Sequence, residues 1–503
     1  MVNRRQSLGL LAAPAFLRAQ QSRPQITHGV CSGDPASDGA LLWVRGDRPS
    51  RCWIEVASDE RFSKVLQKFR GPHLFGARDF TARRVVEGLP AGADLYYRLT
   101  LEDLQETSSL SEPLTGHFRT APAQMTTQKR DIRFLWSGDM VGQGYGINPD
   151  RGGIPIFKTM LDRQPDFFLH SGDTIYADSV CPAEWKSPDG TLWKNIVTEA
   201  KSKVAAKLDD FRGCYQYNLL DENVRRFHAQ VAQVWQWDDH EVVNNWSPGK
   251  PGIGPLSAAA TQAFLEYAPI RPQAVETERI YRKLSYGPLL DVFLIDVRSY
   301  RAANSHNRQE QEGPETEFLG AHQRAWLKRE LKASRATWKI IASDMPIGLI
   351  VGDGKDAEGR PRYEAVANGE GPALGRELEI ADLLRFLKRE KIRNHVWLTA
   401  DVHYTAAHHY QPSKAVFTDF DPFWEFVSGP LNAGTFGPGQ IDNTFGIEVI
   451  YQKHPPKGQA NLSPASGMQF FGEVEIDAKT SALKVTLRDL SGANLFTKTL
   501  APA

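Results

Sequence analysis

The sequence predicts a β-sandwich followed by an α/β domain in which packed sheets are enclosed by helices. Three observations predict it: strand-like runs at regular spacing before Pro122, apolar strands alternating with amphipathic helices beyond Asp131, and a return to period-two alternation near the end. At 503 residues the chain exceeds what one hydrophobic core usually serves, so more than one domain is expected.

The first domain is placed at residues 24–122. Runs such as Gly39-Ala-Leu-Leu-Trp-Val44, Cys52-Trp-Ile-Glu-Val56 and Leu95-Tyr-Tyr-Arg-Leu99 are separated by turn signals, with no helical period between them, which is the pattern of a β-sandwich. Ala121 to Lys129 reads as a polar linker containing Pro and Thr.

The second domain is placed at residues 131–503. Its strand candidates, Ile132 to Trp136, Asp166 to Leu169, Val231 to Trp237, Val292 to Ile295, Ile340 to Ala342 and Val396 to Thr399, are mostly apolar throughout, as suits strands covered on both faces. In Glu379 to Lys391, Ile380, Leu383, Leu384 and Leu387 fall at i, i+3, i+4 and i+7, one face of a helix packed on a sheet. A second helix is expected from about Leu319 to Lys332. The Gly-, Pro- and charge-rich stretch from Asp353 to Gly375 reads as a loop over a site, and Met468 to Leu500 as antiparallel strands around Ser491-Gly492-Ala493.

Sixty basic and sixty acidic residues give a formal net charge of zero, which removes the basic field that non-specific nucleic-acid binding needs. Arg4 and Arg5 precede an apolar run from Leu8 to Leu17 that is too short to span a bilayer. Residues 1–20 therefore read as a signal peptide of the twin-arginine type, with Ala19 as a cleavage position, and predict a periplasmic or extracellular protein that uses the export machinery. A disordered N-terminus is the alternative. Cys31, Cys52, Cys181 and Cys214 lack zinc-site spacing and are either disulfide-bonded or buried free thiols.

Four predicted strands run directly into acidic or histidine residues: Gly138-Asp139, Gly172-Asp173-Thr-Ile-Tyr176, Asp238-Asp239-His240-Glu241 and Asp401-Val-His403. Ligands of α/β sheets bind where strands end, so these carboxylates are expected to converge on one crevice, where a bound cation is their natural counter-charge. Any single aspartate there has a plainer alternative, a helix cap or an Asx turn. Four titratable groups in one run, behind Val234-Trp-Gln-Trp237, are harder to bury without a metal or partner charges. Two cations bridged by Asp173 would clamp the attacking and leaving oxygens of a displacement at phosphorus. His403 and Tyr176 suit a transition metal such as iron, whereas Asp239 and Asp401 offer oxygen to a hard cation such as calcium.

These motifs, with His28-Gly-Val-Cys-Ser-Gly-Asp-Pro35, Leu41-Leu-Trp-Val-Arg45, Asn244-Asn-Trp246 and Leu294-Ile-Asp-Val-Arg-Ser-Tyr-Arg301, resemble the alkaline phosphatase D family of the calcineurin-like metallophosphoesterases over nearly the whole chain. The resemblance implies a fibronectin III-like β-sandwich followed by a four-layer α/β/β/α metallophosphoesterase sandwich. It implies an Fe3+ site of Asp139, Asp173, Tyr176 and His403, similar to purple acid phosphatases, with Ca2+ held by Asp173, Asp239 and Asp401. Asp239 and Asp401 stand where the wider superfamily carries asparagine and histidine, a change toward oxygen that agrees with a harder second cation. The chain departs from the family at Trp136-Ser-Gly-Asp139-Met, where a cysteine is common, and Asp344 lies near an expected histidine ligand.

The activity so implied is hydrolysis of phosphomonoesters or phosphodiesters by attack of a metal-bound hydroxide, in a protein expected to be monomeric. His240 is expected to protonate the departing oxygen or to stabilise its developing charge. Arg298 is expected either to contact phosphate or to brace a structural carboxylate. Two other readings stand beside this one: a phosphodiesterase of phospholipid, teichoic-acid or nucleotide substrates, and a non-catalytic exported binding protein.

Overall fold

The computed structural model describes residues 23–273 and 275–503, so the predicted signal peptide lies outside the described residues. The first strands form two facing sheets. One contains Ile26–Ala36, Gly39–Gly46 and Thr81–Val86; the other contains Val65–Leu74, Ser50–Ala57, Asp94–Asp103 and Leu114–Arg119. Strict alternation builds them: along Asp94–Asp103 every second residue from Leu95 to Leu101 is buried, and Tyr97 and Leu99 meet Val30, Leu42 and Val44 of the facing sheet.

Two larger sheets form the rest of the frame. The parallel strands Ile132–Ser137, Phe167–Ser171 and Ala232–Gln236 lie side by side in one sheet, flanked by antiparallel Phe470–Ile476, Leu483–Asp489 and Asn494–Leu500. In the opposing sheet Leu290–Leu294, Trp338–Ala342, His395–Thr399 and Phe423–Val427 run parallel. The mostly apolar character of these strands has a direct cause. Phe134, Trp136, Phe167, Leu169, Val292, Leu294, Ile340, Val396 and Leu398 fill the space between the sheets. Their chain neighbours Leu135 and Phe168 face the helices Leu208–Asn218, Glu222–Gln230 and Gly254–Tyr267, while Phe293, Ile341 and Trp397 face Ala321–Ala333 and Glu377–Arg389. The result is the expected helix, sheet, sheet, helix order. Among the described residues no helix is long and apolar enough to cross a membrane. All four cysteines are buried free thiols, which answers the disulfide alternative.

The first sandwich is joined to the rest more tightly than a polar linker suggests. Ile26–Ala36 pairs in parallel with Ala232–Gln236 at Gly33 and Gln233, so one nine-stranded sheet runs from the first strands to the last. Trp43 donates from its indole to the Glu266 carbonyl at 2.8 Å. Gly33 permits the approach: a methyl there would stand 2.1 Å from the Pro269 carbonyl oxygen. Gly33→Ala should therefore push this seam apart and destabilise the protein by about 1–3 kcal/mol. Thermal denaturation checks it, and an unchanged midpoint would show that the seam is slack.

Candidate metal centre

Each predicted site motif begins where a parallel strand stops. Asp139 follows Ile132–Ser137, Asp173 follows Phe167–Ser171, Asp239 follows Ala232–Gln236, and Asp401 with His403 follows His395–Thr399 of the facing sheet. The chain turns sharply at these ends. Asp139, Asp173, Asp401 and His403 have φ of +67°, +52°, +64° and +58°. Left-handed backbone at non-glycine residues costs roughly 1–3 kcal/mol each and clusters where function requires it. Gly172, at φ +103°, lets the second turn pass: a Cβ there would sit 2.5 Å from Asp238 Cβ. Met140 N donates to the Asp173 carbonyl at 2.9 Å, which locks the first two turns together.

The six predicted ligands come together. Asp139, Asp173 and His403 form one group, Asp173, Asp239 and His240 a second, and Asp238, Asp239 and Asp401 a third; within each, one potential ligand atom per residue lies within 4.8 Å of the others. Asp173 belongs to the first two groups and Asp239 to the last two, so the groups form one continuous row. Tyr176 places its hydroxyl 2.8 Å from His403 Nε2.

The donor set fits multivalent cations. His403 Nδ1 donates to the Gly434 carbonyl at 2.5 Å, so the neutral ring presents an unprotonated Nε2, 3.3 Å from Asp139 Oδ1. Burial holds this imidazole down at about 4, which keeps it neutral and free to ligate. Asp139 Oδ2 is buried without a hydrogen-bond partner. Burial pushes the Asp139, Asp173 and Asp401 carboxyls well above the ordinary range, and neighbouring carboxylates push them further. Burial opposes ionisation of Asp239 too, but His240, Arg298 and the Asn245 N–H hold its pKa below the ordinary value.

Three neighbours organise this row. Glu241 is fully buried and accepts from the backbone N–H groups of Asp173, Thr174 and Asp238 and from the Thr174 hydroxyl, at 2.6 to 3.2 Å, so it ties two strand ends together. His240 stacks on Tyr176 with ring centroids 4.2 Å apart, and its Nδ1 lies 2.7 Å from Asp178 Oδ1. Asp178 also accepts from Asn244 N at 2.7 Å.

Arg298 sits differently from the expected phosphate contact. It is fully buried, with Nε 2.5 Å from Asp238 Oδ1 and 3.1 Å from Asp344 Oδ2 and Nη1 on Glu364. Its Nη2 lies 3.5 Å from Asp401 and 4.0 Å from Asp239. The guanidinium fork is filled by carboxylates, so the bracing alternative describes it. Asp344, which sequence placed near a ligand position, spends one oxygen on Arg298 and leaves Oδ1 buried without a partner.

The sequence assigns no role to Asp178, to Glu364 or, although it lies in the Asn244-Asn-Trp246 motif, to Asn245. Asp178 follows Tyr176 by two residues, a signal that was present. Asn245 N donates to Asp239, and its side chain donates to Asp353 at 2.9 Å, which fastens the Asp353-to-Gly375 segment to the site. Glu364 belongs to that same segment and carries no motif.

Comparison with known proteins agrees with this architecture. Residues 134–487 match the PhoD-like phosphatase family, and residues 11–122 match the PhoD-like phosphatase N-terminal domain. Alkaline phosphatase D of Bacillus subtilis (strain 168) is 29% identical over 478 residues, covering 88% of this chain and 74% of that protein. A solved structure of PhoD superposes with a TM-score of 0.70 at 23% identity, covering 95% of this chain and 90% of its own. A purple acid phosphatase from yellow lupin (Lupinus luteus) seeds superposes at 0.56 with 12% identity, covering 95% and 74%. These two likenesses are of fold. With the family match extending over most of its length and the acidic row at the ends of its strands, the chain belongs to the PhoD-like phosphatase family.

Proposed function

We propose that this metal-dependent phosphoesterase is an exported alkaline phosphatase D-like enzyme that hydrolyses phosphomonoesters, phosphodiesters or both. The observation that carries the reading is the shared carboxylate: Asp173 lies within 4.8 Å of Asp139 and His403 in one group and of Asp239 in the next, the position a bridge between two cations requires, and Asp239 in turn adjoins Asp401. Asp139, Asp173, Tyr176 and His403 would hold Fe3+, since imidazole and phenolate suit a transition metal. Asp173, Asp239 and Asp401 would hold Ca2+ through oxygen alone. When bound, such cations supply Lewis-acid charge for the phosphoryl oxygens and acidify a water toward neutral pKa.

The chain's own residues do the rest. Asp178 receives Nδ1–H of His240, which fixes the ring and makes Nε2 its proton-exchanging atom. Burial lowers the His240 pKa, but in the cation-free site Asp239, Asp173 and Asp178 together raise it well above its ordinary value; with cations balancing Asp239 and Asp173, Asp178 would remain as the carboxylate that supports a protonated ring facing the leaving alkoxide. Arg298 braces the Asp238, Asp344 and Glu364 carboxylates and steadies Asp239 and Asp401 from behind. Arg4, Arg5 and the Leu8-to-Leu17 run support export by the twin-arginine route to the periplasm or beyond, and the chain is proposed to act as a monomer.

Three outcomes test this reading. His240→Ala should lower kcat on a phosphomonoester by about 10²–10⁴ while metal content by mass spectrometry stays unchanged; parallel loss of metal would make His240 a ligand. Tyr176→Phe should abolish or shift a visible phenolate-to-iron band of the loaded protein, and a colourless iron-loaded wild type would rule iron out of this position. The third concerns pH. Burial raises the Asp139, Asp173 and Asp401 pKa values, so without cations their stability contribution is full below about pH 3.9 and is lost as pH rises through the raised values. Cations require the ionised carboxylates. The gap in thermal midpoint between metal-loaded and chelated protein should therefore widen from about pH 5 to about pH 8, and a narrowing gap would contradict the assignment.

A further inference from the structure

We propose that Lys201 is a positioning residue of the hydrolytic site, whose buried ammonium clamps the turn that presents Tyr176 to the acidic row and Asp178 to His240. The proposal rests on the phosphoesterase reading above.

Nothing in the sequence separates Lys201 from its neighbour Lys203, two residues on in Ala200-Lys-Ser-Lys203. The structure separates them sharply. Lys203 is 39% exposed and pairs with Glu199 and Asp210, as a surface lysine does. Lys201 is 1% exposed, and its Nζ donates to the Tyr176 carbonyl at 2.8 Å and to the Ser179 carbonyl at 2.6 Å. Both acceptors belong to one turn, and both are main-chain carbonyls. A buried ammonium costs several kcal/mol unless its hydrogen bonds are made. The turn and the lysine therefore hold each other: released from Lys201, the two carbonyls lose charge-assisted bonds that water cannot easily replace at this depth.

The backbone on either side reinforces the clamp. Cys181 N donates to the Lys201 carbonyl at 2.7 Å, and Ala205 N donates to the Ala177 carbonyl at 2.8 Å, so residues 201–205 run alongside residues 177–181. What the clamped turn delivers is specific. Tyr176 sends its hydroxyl to His403 Nε2, Asp178 engages His240 Nδ1, and the Ser179 hydroxyl accepts from Gln143 N at 2.7 Å. Gln143 in turn accepts from Gly434 N at 3.0 Å, and the Gly434 carbonyl receives Nδ1–H of His403. One ammonium thus fixes a turn from which an expected iron ligand, the orienting partner of the proposed acid and a path to the His403 tautomer all depart. Lys201 acts through these groups.

Lys201→Met keeps the length and apolar stem of the side chain and removes its donors, so the core should tolerate it. The full-length, metal-loaded variant is compared with wild type for kcat and KM on p-nitrophenyl phosphate and for amide hydrogen exchange over residues 176–181. The clamp predicts a kcat lower by about tenfold or more with KM within about twofold, since misplacement and not lost binding is the defect. It also predicts exchange at residues 177–179 faster by about tenfold. Lys201→Arg, which restores a cationic donor, should recover part of both. If Lys201→Met does not fold, Lys201→Gln, which keeps N–H donors without the charge, is read by the same two measurements. A folded variant with wild-type kcat, or with lowered kcat but wild-type exchange at the turn, overturns the proposal. Exchange is read without any substrate, so a wild type that hydrolyses no phosphoester would refute the functional reading and leave the clamp to stand or fall on exchange alone.

Discussion

The structure is organised around mutual repulsion among buried carboxylates. Asp139, Asp173, Asp239 and Asp401 follow one another in a row with successive members within 4.8 Å, where burial alone disfavours their ionised forms. Arg298 lies against the row, but most of its hydrogen-bonding capacity goes to Asp238, Asp344 and Glu364. The charge of the row is left for ions to balance. Left-handed turns at four of the ligand positions add strain to the same place, and the surrounding scaffold must be rigid enough to impose it.

That rigidity comes from how the sheets are packed. The inner faces of the two large sheets share one core with the first sandwich, and alternate residues of the same strands reach outward into helix-covered cores. Strands fixed on both faces cannot shift register without exposing a whole apolar row, so their C-terminal ends are held relative to one another across the sheet interface. Glu241 ties two of those ends within one sheet, and Arg298 links Asp238 there to Asp401 of the facing sheet. The chemistry is thus placed by apolar packing and trimmed by a few buried polar ties.

Much of this was legible in the sequence. Mostly apolar runs from Ile132, Val292 and Val396 announced strands buried on both faces, and the helix expected from Glu379 is present as Glu377–Arg389. The ligand residues could be read because each directly follows such a strand. What could not be read depends on three-dimensional closeness without a local pattern. The parallel pairing of Gly33 with Gln233 joins residues two hundred apart, and no periodicity reports it. Helix Gly254–Tyr267 gives little sequence signal because its alanine-rich stretch shows little amphipathic contrast. The lysine in Ala-Lys201 looks like a surface charge until its acceptors are seen, and the choice between the two roles expected of Arg298 rests on carboxylates from distant segments of the chain.

The proposed chemistry depends on Asp173 lying between two different cations. The most direct measurement is anomalous diffraction from crystals of the protein grown with iron and calcium, collected on both sides of the iron edge. One iron-dependent peak is expected beside Asp139, Tyr176 and His403 and a second, iron-independent site beside Asp239 and Asp401, about 3.5 to 4 Å away with Asp173 touching both. Density showing no ion, or Asp173 contacting only one, would contradict it.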